Sequence, residues 1–244
     1  MSRILQESTF NLSNNTMKRE KYIGIISAIP VESRIILEKM SEISRDMHAN
    51  IEFTKGKIGR HNVILVNCGV SKVNAAMYTQ LMIDKYDPEL IIFTGVAGSM
   101  SSSVGHLDLV LADELTFYDV NPKQLEALFP NVVRFKTDRE LSDLIADQAE
   151  CRRGLIITGD HFVHTKEDKD ELLMKFPDAL AVEMEGCAVA HVAYVNGVPL
   201  AVLRCITDLA DDDAEDSYDE LEKTAAEKSA AVILSALDNM EGTV

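Results

Sequence analysis

Apolar residues fall along this chain in short β-branched runs that alternate with longer stretches of helical spacing. The continuous run at residues 90–94 (LIIFT) is typical of a strand that is covered on both faces. It leads into Gly95-Val96-Ala97-Gly98, which we expect to form a tight turn. The pattern predicts further strands at residues 22–28, 51–58, 61–67, 108–119, 155–158, 181–182 and 200–206.

Helical spacing predicts helices over residues 31–40, 72–86 and 185–195. Two capping boxes, beginning at Thr137 and at Ser217, predict helices that run to about residues 149 and 237. The alternation of strands and helices indicates an α/β fold, a mixed and mostly parallel twisted sheet flanked by helices. No linker or repeat interrupts residues 21–240, so we predict one domain over residues 21–244.

The first twenty residues are polar and rich in Asn and Ser. They lack the apolar core of a signal peptide, so residues 1–20 are predicted to form a flexible N-terminal extension. No apolar run approaches the length of a membrane span. Four scattered cysteines without CxxC spacing fit free thiols in a reducing compartment, which predicts a cytoplasmic location.

The formal net charge of −16 changes which partners are plausible. Such a field repels phosphate backbones and anionic lipids, so no nucleic-acid or membrane partner is expected. The acidic run at residues 211–216 lacks the glycine and the spacing of a calcium loop and is expected to face solvent. His161 and His164 are read as surface or supporting groups, and we expect neither a metal nor a cofactor.

Chemically costly residues follow several of the predicted strands. In open α/β sheets ligands bind beyond the carboxyl ends of the strands, so these residues are expected to meet at one edge. Simpler roles are open for four of these residues: Glu32 as a first-turn helix residue, Asp208 as a cap, and Glu183 with Arg204 as a structural ion pair. The residues are Glu32, Val96, Ala97, Gly98, Asp160, His161, Phe162, Glu183, Glu185, Arg204, Thr207 and Asp208.

The two glutamates in LAVEMEG (residues 180–186) are the most unusual pair, because burying a carboxylate without a partner is costly. On an extended segment Glu183 and Glu185 would share one face, with Met184 on the other. Phosphate-binding and dinucleotide glycine patterns are absent from the sequence, and so is a GxSxG motif.

Several segments together resemble the nucleoside phosphorylase/hydrolase superfamily, and more narrowly the 5′-methylthioadenosine/S-adenosylhomocysteine nucleosidases. The most specific are the AVEME motif (residues 181–185) and RCITD (residues 204–208), within a resemblance that spans most of residues 22–230. It implies a nucleoside phosphorylase-like catalytic domain that hydrolyses the N-glycosidic bond to adenine through a ribosyl cation-like transition state. It also implies a homodimer whose second subunit closes the 5′-alkylthio pocket.

The resemblance assigns roles residue by residue. Asp208 would protonate adenine N7, and Glu32 would orient and deprotonate the attacking water. Glu185 and Met184 would contact the ribose, Arg204 would fix Glu185 or the groups near the water, and Glu183 would support them. The remaining assignments place Phe162 on the face of the base, the Val163 backbone at its edge, and Ile29 and Tyr218 around the alkylthio group.

These residue types suit that chemistry. Adenine leaves poorly as an anion, but an ordinary Asp with a pKa of roughly 3.9 is protonated about one time in a thousand near neutral pH. Asp208 must therefore have a raised pKa or receive its proton as the bond breaks, and the sequence leaves both open. Carboxylates such as Glu32 and Glu185 stabilise a developing cationic sugar where water is excluded.

Three alternatives remain open. Phosphorolysis would need cations for phosphate, and the segment FTGVAGS carries none; Arg34 and Arg60 are the only candidates nearby. A related nucleoside such as aminodeoxyfutalosine, or less readily AMP, is a second possibility, and a non-catalytic nucleoside-binding protein is a third. Val96, Thr207 and His161 depart from the usual pattern of the family, which leaves the preferred substrate open.

Overall fold

A computed structural model describes residues 20–241 of the chain, so the predicted extension lies outside the described residues apart from Glu20. The strands are β1 Ile23–Ser27, β2 Ser41–His48, β3 Ile51–Ile58, β4 His61–Asn67, β5 Leu90–Ser99, β6 Leu109–Phe117, β7 Phe135–Lys136, β8 Cys151–Thr158, β9 Ala179–Glu183 and β10 Leu200–Asp208. The helices are α1 Pro30–Lys39, α2 Lys72–Tyr86, α3 Pro122–Ala127, α4 Arg139–Ala146, α5 Lys166–Lys175, α6 Gly186–Asn196 and α7 Ala214–Asn239.

All ten strands belong to one mixed sheet, which confirms the predicted α/β class. Strands β2, β3, β4, β1 and β5 lie side by side, and the order continues through β9, β8, β6 and β10. Because β10 also pairs in parallel with β5, the second part of the sheet closes into a five-stranded barrel. Antiparallel pairings are as numerous as parallel ones, more than the sequence pattern indicated.

Helices cover the sheet on two sides, and each side has its own apolar core. One core packs α2 and α6 against the sheet through side chains such as Tyr78, Met82 and Val189. The other packs α1, α4 and α7 through side chains such as Ile36 and Ile233. Both helix layers are thus held by burial of apolar area, which leaves the strand ends free to carry polar groups. In the part of the chain from residue 20 to 241, no helix has the length and hydropathy to cross a membrane.

The predicted turn at residues 95–98 is wrong, because β5 continues through these residues to Ser99. Arg204 of β10 pairs with Gly95, and Asp208 pairs with Gly98, so the strand ladder extends under the polar residues. The glycines serve close approach here: a Cβ at position 98 would lie 2.6 Å from Asp208 Oδ1, and one at position 95 would overlap the Glu32 carboxylate.

Both predicted capping boxes are wrong in register. Helix α4 is capped by Asp138, whose Oδ1 accepts a hydrogen bond from the Leu141 amide at 2.9 Å, one residue after the predicted cap. Helix α7 begins at Ala214, so Ser217 lies inside it. Strand β2 was not predicted, because it is an exposed edge strand without a buried apolar face; β7, α3 and α5 were also missed. The end of α6 at Gly197, in a left-handed conformation, is confirmed.

Candidate active site

Residues at or just after the carboxyl ends of β1, β5, β8, β9 and β10 meet around one cavity of about 100 Å³. Most of the residues singled out from the sequence line it, and Ala28, Val70 and Val182 line it as well. These three are ordinary apolar residues, so no sequence signal marked them. The predicted residues that line the cavity are Ile29, Glu32, Val96, Ala97, Gly98, Phe162, Glu183, Met184, Glu185, Thr207, Asp208 and Tyr218.

Val163 and His161 line a smaller adjoining cavity of about 20 Å³, which shares Phe162 and Asp208 with the first. Larger depressions of about 660 and 590 Å³ exist elsewhere on the described surface. Their linings are mainly charged, and Arg134 and Arg153 in the larger one are already paired with acidic neighbours. The smaller cavity is lined by buried carboxyl groups, so it is where the chemistry is concentrated.

Glu32 lies in the first turn of α1, and its carboxylate is 4% exposed. Oε2 accepts hydrogen bonds from the amides of Ala28 and Ile29 at 2.8 and 3.0 Å, and Oε1 accepts one from Val96 at 3.0 Å. Burial raises the pKa of Glu32, while Arg204 and the three amides oppose that shift. Glu32 thus caps α1, as the simpler interpretation suggested, and the same carboxylate faces the cavity.

Asp208 is the last residue of β10, lines the same cavity and is 1% exposed. Its Oδ2 accepts a hydrogen bond from the Thr207 hydroxyl at 2.8 Å, and its Oδ1 accepts one from the Ala210 amide at 2.9 Å. Burial raises the pKa of Asp208; the two hydrogen bonds lower it and the nearby Asp211 raises it. The carboxyl group is therefore biased toward the protonated form that an acid catalyst requires.

Arg204 forms its ion pair with Glu183, whereas the resemblance had implied that it fixes Glu185 or the groups near the water. Its Nη2 donates to Glu183 Oε2 at 2.8 Å, and its guanidinium lies 3.9 Å from the centre of the Phe93 ring. Arg204 is 2% exposed and does not line the cavity. The ion-pair interpretation of Glu183 and Arg204 is therefore correct, because two buried charges one strand apart neutralise each other.

Glu183 also anchors the start of α6. Its carboxylate accepts hydrogen bonds from the Gly186 amide at 2.7 Å and the Glu185 amide at 3.1 Å, and from the Thr158 hydroxyl. A carboxylate at a helix N-terminus is favoured by the unpaired amides and by the helix dipole. Glu183 is thus held in place by four partners, Arg204 included, which explains how the chain tolerates it in the interior.

Glu185 has fewer partners, and its carboxylate reaches the cavity. Its Oε1 accepts a hydrogen bond from the Ser71 amide at 2.8 Å. Burial, followed by repulsion from Glu183, raises the pKa of Glu185. The expected alternation of Glu183, Met184 and Glu185 is wrong, because β9 ends at Glu183 and all three residues line the cavity.

An aromatic wall closes another side. The Phe162 ring lies 6.1 Å from the Tyr218 ring at an interplanar angle of 74°, and 5.8 Å from the His164 ring at 9°. Phe162 belongs to the segment between β8 and α5, and Tyr218 belongs to α7. An aromatic ring held in this way offers a flat apolar surface for a planar ligand.

The cavity therefore combines buried carboxyl groups with an apolar, aromatic wall. No Lys or Arg is among the described residues that line it. Such a lining favours a neutral or partly cationic ligand over an anion, since nothing there would neutralise a phosphate.

A model of the phosphorylase superfamily matches residues 22–238. The 5′-methylthioadenosine/S-adenosylhomocysteine nucleosidase of Staphylococcus carnosus is 33% identical over 227 residues, which cover 89% of this chain and all of that protein. The chain belongs to this nucleosidase family of the phosphorylase superfamily. A Staphylococcus aureus member of the family is also 33% identical, over 86% of this chain and 96% of its own.

Solved structures of the nucleosidase family share the fold. The S-adenosylhomocysteine nucleosidase of Streptococcus pyogenes, in complex with 5-methylthiotubericidin, has a TM-score of 0.86 and 29% identity, covering 91% of this chain and 98% of that one. The Streptococcus pneumoniae nucleosidase with a transition-state inhibitor has a TM-score of 0.85 and 30% identity, covering 90% and 100%. The nucleoside phosphorylase-like fold predicted from the sequence is thereby confirmed.

Proposed function

We propose that this protein hydrolyses the N-glycosidic bond of 5′-methylthioadenosine and S-adenosylhomocysteine, releasing adenine and the 5-thioribose product. The observation that carries the proposal is the presence of Asp208 and Glu32 on one buried cavity without a cationic lining residue. The nucleosidases to which the chain is similar are named for these two substrates. No metal or cofactor takes part in the proposed hydrolysis.

In the proposed mechanism, Asp208 donates its proton to adenine N7, so that the base leaves as a neutral molecule. The raised pKa of Asp208 supports this role, because burial favours the protonated form of the carboxyl group, which is the form that can act as a general acid. As the glycosidic bond breaks, positive charge develops on the ribose. In this proposal the carboxyl groups of Glu32 and Glu185 face that charge; the developing cation favours their ionised forms, and these in turn lower the energy of the cation.

Glu32 is the proposed base for the attacking water. Three amides fix its carboxylate, so it can hold a water with little reorganisation. Glu185 accepts hydrogen bonds from the ribose hydroxyls, and Met184 contacts the ribose. Phe162 stacks on adenine while the Val163 backbone binds its edge, and Ile29 and Tyr218 border the 5′-alkylthio group. In this proposal Glu183, paired with Arg204, positions the backbone that carries Glu185 by accepting the hydrogen bond of its amide.

The experiment is an incubation of the protein with 5′-methylthioadenosine, with and without phosphate, followed by chromatography of the products. Release of adenine and free methylthioribose in both samples supports hydrolysis. A sugar 1-phosphate that forms only when phosphate is present would identify a phosphorylase instead. Aminodeoxyfutalosine, offered in parallel, tests the related substrate that Val96, Thr207 and His161 leave open.

We also propose a homodimer formed through α2. Val73 and Met77 lie one turn apart on this helix and are 71% and 40% exposed. Tyr194 is exposed on the neighbouring α6, which hydrogen bonds join to α2. Val70, at the start of the same surface, also lines the cavity, so a second copy seated there would close the ligand site.

Sedimentation velocity tests the dimer directly. The wild-type protein is expected at twice its 27.0 kDa chain mass, and Met77→Glu is expected to shift it toward the monomer. Met174→Glu, on an exposed Met of α5, is the matched control and should leave the dimer intact. A wild-type protein that sediments as a monomer would contradict the proposal.

We also propose a cellular setting for the protein. The four free thiols and the acidic charge fit a cytoplasmic protein, and residues 21–244 are proposed to form one catalytic domain because one sheet spans the described part. The proposed products place the protein in nucleoside catabolism and methionine salvage. Growth of a deletion strain on methylthioadenosine as sulfur source tests that role.

A further inference from the structure

We propose that His161, His164 and Asp168 bind a divalent transition-metal ion, with Zn²⁺ as the best match. One ligand atom of each residue lies within 4.8 Å of the ligand atoms of the other two. The residues come from the segment after β8 and from the first turn of α5. The spacing along the sequence gave no such indication, because a loop and a helical turn together bring them close.

A hydrogen bond fixes the tautomer of His164 and leaves one ring nitrogen with a free lone pair. Its Nδ1 lies 2.8 Å from the carbonyl oxygen of Phe162, and because a carbonyl only accepts, Nδ1 carries the proton. The lone pair is therefore on Nε2. Metal-binding histidines are commonly oriented by such a bond from the other ring nitrogen to a backbone carbonyl.

Asp168 is also fixed in place. Its Oδ2 accepts a hydrogen bond from the hydroxyl of Thr165 at 2.7 Å, and Thr165 caps α5 by accepting from the Asp168 amide at 3.1 Å. Oδ2 lies 3.4 Å from Nε2 of His161. Two ligands at roughly 2.1 Å from a tetrahedral Zn²⁺ are about 3.4 Å apart. These two atoms are thus already spaced as ligands, and the ligand atom of His164 lies within 4.8 Å of both.

The chemistry of the ligand set selects the ion. Two imidazole nitrogens and one carboxylate suit Zn²⁺, Co²⁺ and Ni²⁺. They do not suit Ca²⁺ and Mg²⁺, which prefer ligand sets made of oxygen atoms alone. The His161 side chain is 60% exposed, so an ion can enter and keep water in the remaining coordination position. The net charge of −16 raises the local concentration of cations.

Metal binding at this place would affect the cavity through Phe162. The His164 ring lies parallel to the Phe162 ring, and Phe162 lines the cavity. An ion held by His161, His164 and Asp168 therefore ties the segment that carries Phe162 to the start of α5. The binding itself does not depend on the proposed hydrolase activity.

The test is a titration of tag-free protein with Co²⁺ followed by its visible absorption, and with Zn²⁺ followed by calorimetry. We expect one equivalent to bind to the wild type. His161→Gln should weaken binding by ~10-fold or more, since a ligand is lost. His161 is the safest position to change because, among residues 20–241, its exposed ring has only Asp168 as a hydrogen-bond partner. Circular dichroism verifies that the variant folds.

Matched controls separate this site from other donors. His106→Gln removes an exposed histidine elsewhere, and Asp170→Asn removes an exposed carboxylate on the same helix as Asp168. Both should bind Co²⁺ like the wild type, whereas Asp168→Asn should not. Wild type without binding, or His161→Gln that binds as tightly as wild type, overturns the proposal.

Hydrogen exchange then measures the effect on the segment. Zn²⁺ should slow amide exchange over residues 160–168 in the wild type and leave it unchanged in His161→Gln. If Zn²⁺ binds but exchange in this segment is the same with and without it, the inferred tie between Phe162 and α5 is refuted.

Discussion

Replacing Asp208 by Asn separates proton donation from shape. Asn keeps an oxygen that can accept the Ala210 amide hydrogen bond, and the Thr207 hydroxyl can rotate to accept from the new amide. The fold should therefore be retained. The Asn side chain has no proton to give to the leaving base. General acid catalysis contributes typically ~10²–10⁴-fold, so kcat for adenine release should fall by about that factor, which corresponds to an activation free energy higher by ~3–5 kcal/mol.

The same substitution, which lowers activity, should raise the free energy of unfolding. Burial raises the pKa of Asp208 in the folded protein, so above about pH 4 the unfolded chain gives up a proton that the folded chain keeps. The wild type therefore loses about 1.4 kcal/mol of stability for each pH unit between the ordinary and the raised pKa. Asn carries no such penalty, so Asp208→Asn should be more stable than wild type at pH 7 and equal to it near pH 3.

Two assays read these effects on the same samples. Adenine release from 5′-methylthioadenosine is followed by its absorbance, and the midpoint of thermal unfolding is measured from pH 3 to pH 8. Asp212→Asn, four residues along and exposed, is the control and should change neither. Near-normal turnover of Asp208→Asn would refute the acid assignment. A stability difference that does not grow with pH would refute the raised pKa.

Three further changes test the site from other directions. Arg204→Met should cost ~3–5 kcal/mol in urea unfolding because Glu183 is left buried and unpaired, and adding Glu183→Gln should recover part of it; an unchanged midpoint would contradict the pair. Gly95→Ala should displace the Glu32 carboxylate and lower kcat ~10²-fold while the circular dichroism spectrum is kept. Ellman's reagent should modify at most the half-buried Cys151 in the native protein, because burial protects the other three thiols and raises their pKa values; fast modification of all four would refute this.

Local pattern was sufficient for most elements with a buried face. The apolar runs located β1, β4, β8 and β10, and helical spacing located α1, α2 and α6 within a residue or a few. It failed where burial does not mark the element. Strand β2 is exposed along most of its length, and its partner strand, not its own composition, makes it a strand.

The sequence predicted which residues line the site better than it predicted the contacts between them. Polar residues at strand ends were expected to meet, and they do meet around one cavity. The partner of Arg204 was not predictable, because Glu183 and Glu185 are two residues apart and only the exact end of β9 decides which carboxylate turns inward. The approach of His161, His164 and Asp168 was likewise invisible to spacing rules.

Short-range pattern and residue chemistry were enough to infer the fold class, the family resemblance and which carboxylates are too costly to bury without a purpose. The folded structure was needed to show that β10 closes a barrel with β5, so that Asp208 and Glu32 line the same cavity. Electrostatics and hydrogen bonds depend on distances of a few ångströms between residues far apart in the chain. Such distances exist only once the strands have paired.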